Sequence, residues 1–309
     1  MSEAQYPAPD AARSGRWSNA AGISVNRLGF GTMQLPGQGV WGPPTDRDTA
    51  LAVVRRAVEL GVDHIDTADY YGPRVANELV REALQPYAQN LVIGTKVGVV
   101  RGEDMSWPPA ASPAQLHQQV VENLTGLGRD YLDIVYLRVG GDFLLAADST
   151  PVLESFQALA DLRDKGLIRH LGLSNVDSEQ LAQAQQIAPV VAVENRFNVL
   201  DRRGGGVLAE CERQGIAFVP YFPLGAGTFS KGHPMVQEHA AVDAVAERHG
   251  ATVQQVAIAW LLHHSPAILP IPGTSSLAHL EDNIKAADLR LTDEDVRELD
   301  TLEFESTLP

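Results

Sequence analysis

Short apolar runs and amphipathic stretches alternate along almost the whole chain. The apolar runs predict eight strands, at residues 27–33, 63–67, 91–97, 132–138, 169–174, 190–194, 217–222 and 267–271. Apolar residues recur at helical spacing between them, and several of these stretches end at a glycine, as many helices do. Strands that alternate with helices indicate βαβ units and a parallel sheet. Eight such units in a chain of 309 residues favour a (β/α)8 barrel, the TIM barrel.

Three further helices lie outside this regular alternation. Two are predicted between the last two strands, at residues 235–249 and 252–264, and a third near 293–302 follows the last barrel helix. No low-complexity linker divides the chain. We therefore predict one domain, residues 17–309, with extra C-terminal helices, preceded by a flexible arm of residues 1–16.

The charge and the apolar pattern exclude several classes of protein. The net charge is -15, so a basic surface for nucleic acid is absent and an anionic membrane would repel the chain. No apolar run reaches membrane-spanning length, and the N-terminus lacks a basic-then-apolar signal. The single cysteine, Cys211, permits no internal disulfide and is interpreted as a structural residue. We predict a cytoplasmic protein that binds a small molecule, with no obligatory protein partner indicated.

Four polar residues lie at or just beyond the C-terminal ends of predicted strands: Asp66, Tyr71, Lys96 and Arg138. In a barrel these ends share one rim, where the chemistry of such folds is placed. A tyrosine that donates a proton near neutrality needs a lowered pKa, and Lys96 is a cation that would lower it. Asp66 would hold Lys96, and Arg138 would donate to a carbonyl oxygen that becomes negative. The set suits carbonyl reduction by hydride transfer, since no nucleophilic Ser or Cys and no metal-ligand cluster is evident.

The segments GVDHIDTADYYG, IGTK, GLSN, YFPLG and IPGTSSLAHLEDN, in this order, resemble the aldo-keto reductases. The resemblance runs from about residue 25 to 302. It implies a nicotinamide-dependent reductase in which Asp66, Tyr71 and Lys96 are catalytic and Tyr71 is the proton donor. Arg138 stands where the family has a catalytic histidine. A permanent cation therefore replaces a titratable group at the fourth position.

The same resemblance implies a set of residues that contact the cofactor. Ser174 and Asn175 would hold the nicotinamide carboxamide, and Tyr221 would stack on its ring. Glu194 stands where a glutamine is common, so the contact there changes character. The complete predicted set is Gly31, Thr32, Met33, Ser174, Asn175, Glu194, Tyr221, Leu224, Gly225, Gly273, Thr274, Ser275, His279 and Asn283.

The last part of that set would bind the adenosine 2′-phosphate. The sequence Gly273-Thr274-Ser275 opens a helix and offers N–H groups and hydroxyls to an anion. Many relatives place Lys at Gly273 and Arg at His279. The resemblance implies NADPH. Because both cations are absent, the charge argument for NADPH over NADH is weakened, and NADH stays open. No strand is followed by G-x-G-x-x-G and the expected acid, so a Rossmann site is unsupported.

Two loop tryptophans, Trp41 and Trp107, are predicted to contact a planar substrate. VNRLGFGTMQLPGQGVWGPPTDRD, RGEDMSWPPAASPAQL and YLDIVYLR are similar to the branch of the family that reduces pyridoxal, which implies reduction of pyridoxal to pyridoxine. Two alternatives stay open. One is a reductase of broad aldehyde and ketone specificity, and the other is a nicotinamide-binding sensor with little turnover, because Arg138 replaces the histidine.

Overall fold

A parallel sheet of seven strands, in the order of the chain, forms the centre of the molecule. The computed structural model describes residues 8–140, 150–225 and 239–302. The sheet strands are β3 (Phe30–Gly31), β4 (His64–Asp66), β5 (Val92–Val97), β6 (Leu132–Arg138), β7 (Ile168–Ser174), β8 (Val190–Arg196) and β9 (Ala217–Tyr221). An antiparallel pair, β1 (Arg16–Ser18) and β2 (Ser24–Asn26), precedes them. The predicted parallel α/β class is confirmed.

Helices follow the sheet strands as the sequence predicts. In the described residues they are α1 (Arg47–Glu59), α2 (Val75–Leu84), α3 (Pro113–Leu127), α4 (Leu153–Asp164), α5 (Ser178–Gln185), α6 (Gly205–Gln214), α7 (Ala240–His249), α8 (Val253–His264), α9 (Leu277–Lys285) and α10 (Asp293–Asp300). Helix α3 illustrates the local rules: Ser112 and Gln115 form a capping box, Pro113 is the first helical residue, and Gly128 ends the helix in the left-handed region. The predicted helix at 235–249 begins at Ala240, and its first four residues lie outside the described residues. None of these helices is both long and apolar enough to cross a bilayer.

Both faces of the central strands are buried, because the helices cover one face and the sheet curls around the other. Every residue of β6 and of β8 is buried. The inner face carries a separate apolar cluster that includes Ile134, Tyr136 and Val191. Trp17 from β1 packs against this cluster, so the hairpin covers part of the sheet interior. Apolar residues therefore fill one part of the space inside the curled sheet.

The predicted eighth strand is not a regular strand. Residues 267–271 make an isolated parallel bridge to Phe218 rather than a ladder. Leu269 donates its N–H to the carbonyl of Phe218 at 2.8 Å, and Gly29 donates to the carbonyl of Pro270 at 2.9 Å. A proline lacks the N–H that a ladder needs at alternate positions, which limits pairing here. The prediction of eight regular strands was therefore wrong: the sheet of the described residues has seven.

The N-terminal segment also differs from its prediction. Ala11–Ser14 form a 3-10 helix capped by Asp10, and Ala11 is buried and donates its N–H to the carbonyl of Leu60 at 2.7 Å. The packed part of the chain therefore begins before the predicted boundary at residue 16. Residues 1–7 lie outside the described residues, and the division into an arm and a single domain stays a prediction.

Gly29 directly precedes β3 and donates its N–H to the carbonyl of Pro270. It is also in close contact with the side chain of His64 on β4. A Cβ on Gly29 would lie 2.1 Å from Nε2 of His64, so any larger residue must displace the imidazole. We expect Gly29→Ala to lower the free energy of unfolding by about 1–3 kcal/mol, measured by urea denaturation. Gly206→Ala is the matched control, because a Cβ there meets no atom within 4 Å and Ala favours the first turn of α6. Equal losses in the two variants would contradict this account.

Candidate active site

The predicted polar residues meet at the C-terminal ends of neighbouring strands. Asp66 ends β4, Arg138 ends β6, and Lys96 lies one residue before the end of β5. Tyr71 lies in the loop between β4 and α2. Because the strands are parallel and adjacent in chain order, these ends form one rim, and the predicted common location of the four residues is confirmed.

The pairing register explains why a further acid reaches the same place. Arg138 pairs with Ser174, and Ser174 pairs with Glu194. Paired residues of neighbouring strands direct their side chains to the same face of a sheet. The register therefore aligns Arg138, Ser174 and Glu194 in one row across β6, β7 and β8.

Lys96 lies between two buried carboxylates. Its Nζ donates to Oδ1 of Asp66 and to the backbone carbonyl of Thr67 at 3.2 Å. Oε2 of Glu194 lies 3.3 Å from the same Nζ. The side chains of Lys96, Asp66 and Glu194 are 3%, 7% and 2% exposed, so solvent does little to screen these charges. One ammonium thus serves two acids, whereas the sequence interpretation placed only Asp66 beside it.

Burial governs the ionisation of this cluster. Burial and the neighbouring Asp66 carboxylate raise the pKa of Glu194 to about 8, against the opposing effects of Lys96 and Arg138. Burial also raises the pKa of Asp66, although Lys96 opposes it. Burial alone would lower the pKa of Lys96, but the two carboxylates outweigh it and raise that pKa well above its ordinary value. Lys96 is therefore a stable cation, and Glu194 is the acid that retains a proton near neutrality.

Tyr71 is buried beside this cluster. The Nζ of Lys96 lies 5.1 Å from the centroid of its ring, and Tyr70 packs edge-on against it at 5.3 Å. Burial raises the pKa of Tyr71 above its ordinary value; Lys96 opposes this shift, while Asp66 and Glu194 add to it. The predicted lowering of the pKa of Tyr71 was wrong for this structure, because burial outweighs the single nearby ammonium. The phenol stays protonated, which is the form that can donate a proton.

Arg138 supplies a second buried cation on the rim. Its Nη1 donates to Oγ of Ser174 at 3.5 Å, and its guanidinium lies 5.4 Å from the centroid of the Tyr221 ring. Arg138 is 5% exposed. A guanidinium keeps its charge across the working pH range, so this position holds a fixed charge and hydrogen-bond donors.

A first cleft opens above this rim. It encloses about 360 Å³ and is lined by Met33, Tyr70, Tyr71, Lys96, Trp107, Arg138, Ser174, Glu194, Tyr221 and Phe222. Trp107, a predicted substrate contact, is among these lining residues, and that role stays a prediction. Trp41 is not among the lining residues: it faces the guanidinium of Arg101 at 5.3 Å, and Arg101 stacks on Trp107 at 3.8 Å. Arg101 thus connects Trp41 to the lining residue Trp107.

A second, longer cleft of about 750 Å³ adjoins the first. It is lined by Gly31, Met33, Gln34, Asp66, Tyr71, Glu194, Tyr221, Phe222, Pro223, Leu224, Gly225, Ile271, Pro272 and Gly273. Seven of the predicted cofactor residues are among them. Five lining residues were missed, and their signal was only their position beside predicted residues near the ends of strands: Gln34, Phe222, Pro223, Ile271 and Pro272. Tyr71 and Glu194 line both clefts.

The floor of the second cleft suits an extended ligand that approaches the backbone closely. A Cβ on Gly273 would lie 2.6 Å from the carbonyl oxygen of Gly31, so the two loops are in contact through their glycines. A side chain at Gly273 would have to displace backbone atoms. Together with the aromatic ring of Tyr221 and the buried carboxyl of Glu194, this surface fits a flat ring that is joined to a polar chain.

Other predicted cofactor residues serve local structure. Asn175 adopts a φ of 60°, donates to the carbonyl of Val139 at 3.0 Å and accepts from the hydroxyl of Tyr221 at 3.1 Å. Thr32 is fully buried and donates to Oγ1 of Thr67 at 2.9 Å. Asn175 touches a residue of the cleft, whereas Thr32 supports the loop behind it.

The predicted phosphate-binding loop lies beyond Gly273. Thr274 accepts the N–H of Ser276 at 3.1 Å, and Ser276 is the N-cap of α9. Ser275 and His279 are exposed, and Asn283 is buried. None of these lines the second cleft within the described residues. The loop nevertheless presents the start of α9 to solvent close to Gly273.

Across residues 8–140, 150–225 and 239–302, no three His, Cys, Asp or Glu side chains are grouped to hold a metal ion. Cys211 is buried in α6, and burial raises the pKa of its thiol to about 12. A neutral buried thiol confirms the structural interpretation of this residue.

Comparison with known proteins places the chain among oxidoreductases. A model of the Aldo/keto reductase family matches residues 27–303. The chain is similar to a pyridoxine 4-dehydrogenase of Escherichia coli, with 49% identity over 91% of this chain and 96% of the relative. It is 40% identical to an uncharacterized oxidoreductase of Schizosaccharomyces pombe, over 89% of this chain and 86% of that one. An aldo/keto reductase structure from Klebsiella pneumoniae, in complex with NADP and acetate, aligns with a TM-score of 0.73 and 28% identity, covering 90% and 92%.

The raised pKa of Glu194 predicts how stability depends on pH. The folded protein keeps a proton on Glu194 that the unfolded chain releases, so this group makes stability fall as pH rises from its ordinary value of 4.5 towards 8. We expect Glu194→Gln to remove this slope. Relative to the wild type, its free energy of unfolding should rise by more than about 1 kcal/mol between pH 5 and pH 8.5.

Urea denaturation across that pH range measures the effect. Glu179→Gln, at an exposed position in α5, controls for the loss of one negative charge. Parallel pH profiles for the wild type and Glu194→Gln would show that Glu194 is already ionised in the folded protein at low pH.

Proposed function

The chain belongs to the Aldo/keto reductase family, and we propose that it reduces an aldehyde to an alcohol with NADPH, the substrate being pyridoxal and the product pyridoxine. The observation that carries the proposal is the position of Tyr71. Its protonated phenol lies at the junction of the two clefts, beside the ammonium of Lys96. A proton donor at that junction can serve a substrate in one cleft while the other holds a cofactor.

When bound, the nicotinamide cofactor supplies the hydride that adds to the carbonyl carbon. The second cleft would hold it through the ring of Tyr221 and the close backbone at Gly31, Gly225 and Gly273. The N–H groups at the start of α9 are donors suited to a phosphate. Residues 272–279 contain no Lys or Arg, so NADPH is proposed on the strength of the NADP-bound relative, and NADH is its competitor in a binding titration.

The residues of the rim divide the work of protonating the carbonyl oxygen. Arg138 lines the first cleft, where its positive charge would stabilise the negative charge that develops on that oxygen. Tyr71 donates its phenol proton to the same oxygen. Lys96 stabilises the resulting phenolate, and Asp66 holds Lys96 in place by a charge-assisted hydrogen bond.

The choice of pyridoxal rests on two supports. The first is the 49% identity to a relative named pyridoxine 4-dehydrogenase. The second is the wall of the first cleft, where Tyr70, Trp107 and Phe222 present aromatic surface to a flat ring. The same wall would accept other aromatic aldehydes, so a reductase of broader specificity is the second candidate.

Tyr71→Phe tests the proton donor. We expect turnover to fall by about 10²–10⁴-fold, because the ring is kept and the proton is lost. The affinity for NADPH, measured from the quenching of protein fluorescence, should change little. Tyr70→Phe is the matched comparison, since Tyr70 is an equally buried neighbour on the same cleft, and its loss of turnover should be far smaller. Full activity in Tyr71→Phe would remove Tyr71 from this role.

A panel of aldehydes tests the substrate. With NADPH in excess, pyridoxal should give the highest kcat/KM, measured from the absorbance of the reduced cofactor, and aliphatic aldehydes of similar size should be poorer. Comparable values for many aldehydes would support the broad-specificity reductase instead. Binding of NADPH without turnover of any aldehyde or ketone would support a nicotinamide-binding sensor.

A further inference from the structure

Glu194 occupies an unusual position for a buried acid. It lines both clefts and lies 3.3 Å from the ammonium that also holds Asp66. Its Oε2 is buried and, among the described residues, receives no aligned hydrogen bond. The carboxyl group therefore shares its nearest cation, Lys96, with Asp66, and Arg138 is a second cation that favours its ionised form.

Several strands contribute titratable and charged groups around Glu194. The titratable and charged groups are Asp66 on β4, Lys96 on β5, Tyr136 and Arg138 on β6, Tyr70 and Tyr71 after β4, and Tyr221 on β9. The protonated tyrosines add no charge to the site. Lys96 and Arg138 supply two positive charges and Asp66 one negative charge. The site therefore has a net charge of +1 when Glu194 is neutral and zero when it is ionised.

A nicotinamide ring bears a positive charge only in its oxidised form. If the second cleft holds this ring, as the proposed function requires, oxidation adds a cation beside a site that already has an excess positive charge when Glu194 is protonated. Beside a buried carboxyl group, which solvent screens little, such a charge favours the ionised form. The reduced ring brings no such charge.

We propose that Glu194 changes its protonation with the oxidation state of the bound cofactor, being a neutral acid with the reduced form and a carboxylate with the oxidised form. This inference rests on the proposed function. It gives Glu194 a role that a neutral amide at the same position could not perform.

The proton balance of the reaction follows from the same contacts. The product oxygen takes the phenol proton of Tyr71, and Lys96 returns a proton to the phenolate. The O–H bond of Glu194 then breaks and restores the third N–H of Lys96 across the 3.3 Å contact. In total, one O–H bond is lost at Glu194 and one is formed in the alcohol, and solvent protonates Glu194 again once the oxidised cofactor has left.

Calorimetric titration of the wild-type protein tests the inference without turnover. Binding of NADP+ and of NADPH is measured at pH 7 in two buffers of different ionisation enthalpy, which gives the number of protons released. We expect NADP+ to release about one proton more than NADPH, because Glu194 starts protonated at this pH. Between pH 6 and 8, the affinity for NADP+ relative to NADPH should rise by up to about tenfold per pH unit.

Two variants test whether Glu194 is the residue that releases the proton when NADP+ binds. Glu194→Gln should abolish the difference between the cofactors. Asp69→Asn should keep it, since burial raises the pKa of Asp69 to about 6 but its side chain lines neither cleft. Equal proton release by NADP+ and NADPH in the wild type, or a difference that persists in Glu194→Gln, would overturn the inference while the proposed function stands. Failure of both cofactors to bind would overturn the proposed function, and this inference with it.

Discussion

The ion pair of Lys96 with Asp66, shared with Glu194, is the interaction on which the site depends. Three ionisable side chains lie almost out of contact with water, and transferring unpaired charges to such a place costs several kcal/mol each. The cluster persists because the ammonium of Lys96 offsets the Asp66 carboxylate, Glu194 retains its proton near neutrality, and the backbone carbonyl of Thr67 accepts a further hydrogen bond from Lys96. Removing Lys96 or Asp66 alone would leave the charge of the other without its buried partner.

The fold determines which groups join this cluster. Parallel strands in chain order bring residues from β4, β5 and β8 to one rim, although they are far apart in the sequence. The pairing register then aligns Arg138 with Glu194 through Ser174. Glycines 31 and 273 let the neighbouring loops touch, which leaves a cleft that leads directly to Tyr71 and Glu194. The chemistry therefore follows from sheet order and from two close backbone contacts.

Sequence reasoning was strongest where the signal is local. Apolar runs predicted the central strands to within a few residues, and Ser112, Pro113 and Gly128 marked the ends of α3 correctly. The prediction of strands failed at residues 267–271, where a proline interrupts the apolar run, and it missed the short hairpin formed by β1 and β2. A hairpin of three-residue strands has too little periodicity to be distinguished from a loop.

The candidate site shows the same division. Its four polar residues were placed on one rim because each follows a strand, which a sequence reveals. The partnership of Lys96 with Glu194 and the raised pKa of Tyr71 depend on burial and on contacts between distant segments, which a sequence does not reveal. The position of Trp41 shows what a sequence does not reveal about loops. Trp41 faces Arg101, which stacks on Trp107, and it does not itself line the first cleft, because the geometry of the loops places it there.

This buried cluster holds one more proton at neutral pH than isolated side chains would, and that proton lies on Glu194. Infrared difference spectroscopy between the wild type and Glu194→Gln detects it. We expect a carbonyl band of a protonated carboxylic acid at pH 7, which gives way to carboxylate bands as the pH rises past about 8. Carboxylate bands alone at pH 7 would show instead that Glu194 is ionised and that the cluster holds no additional proton.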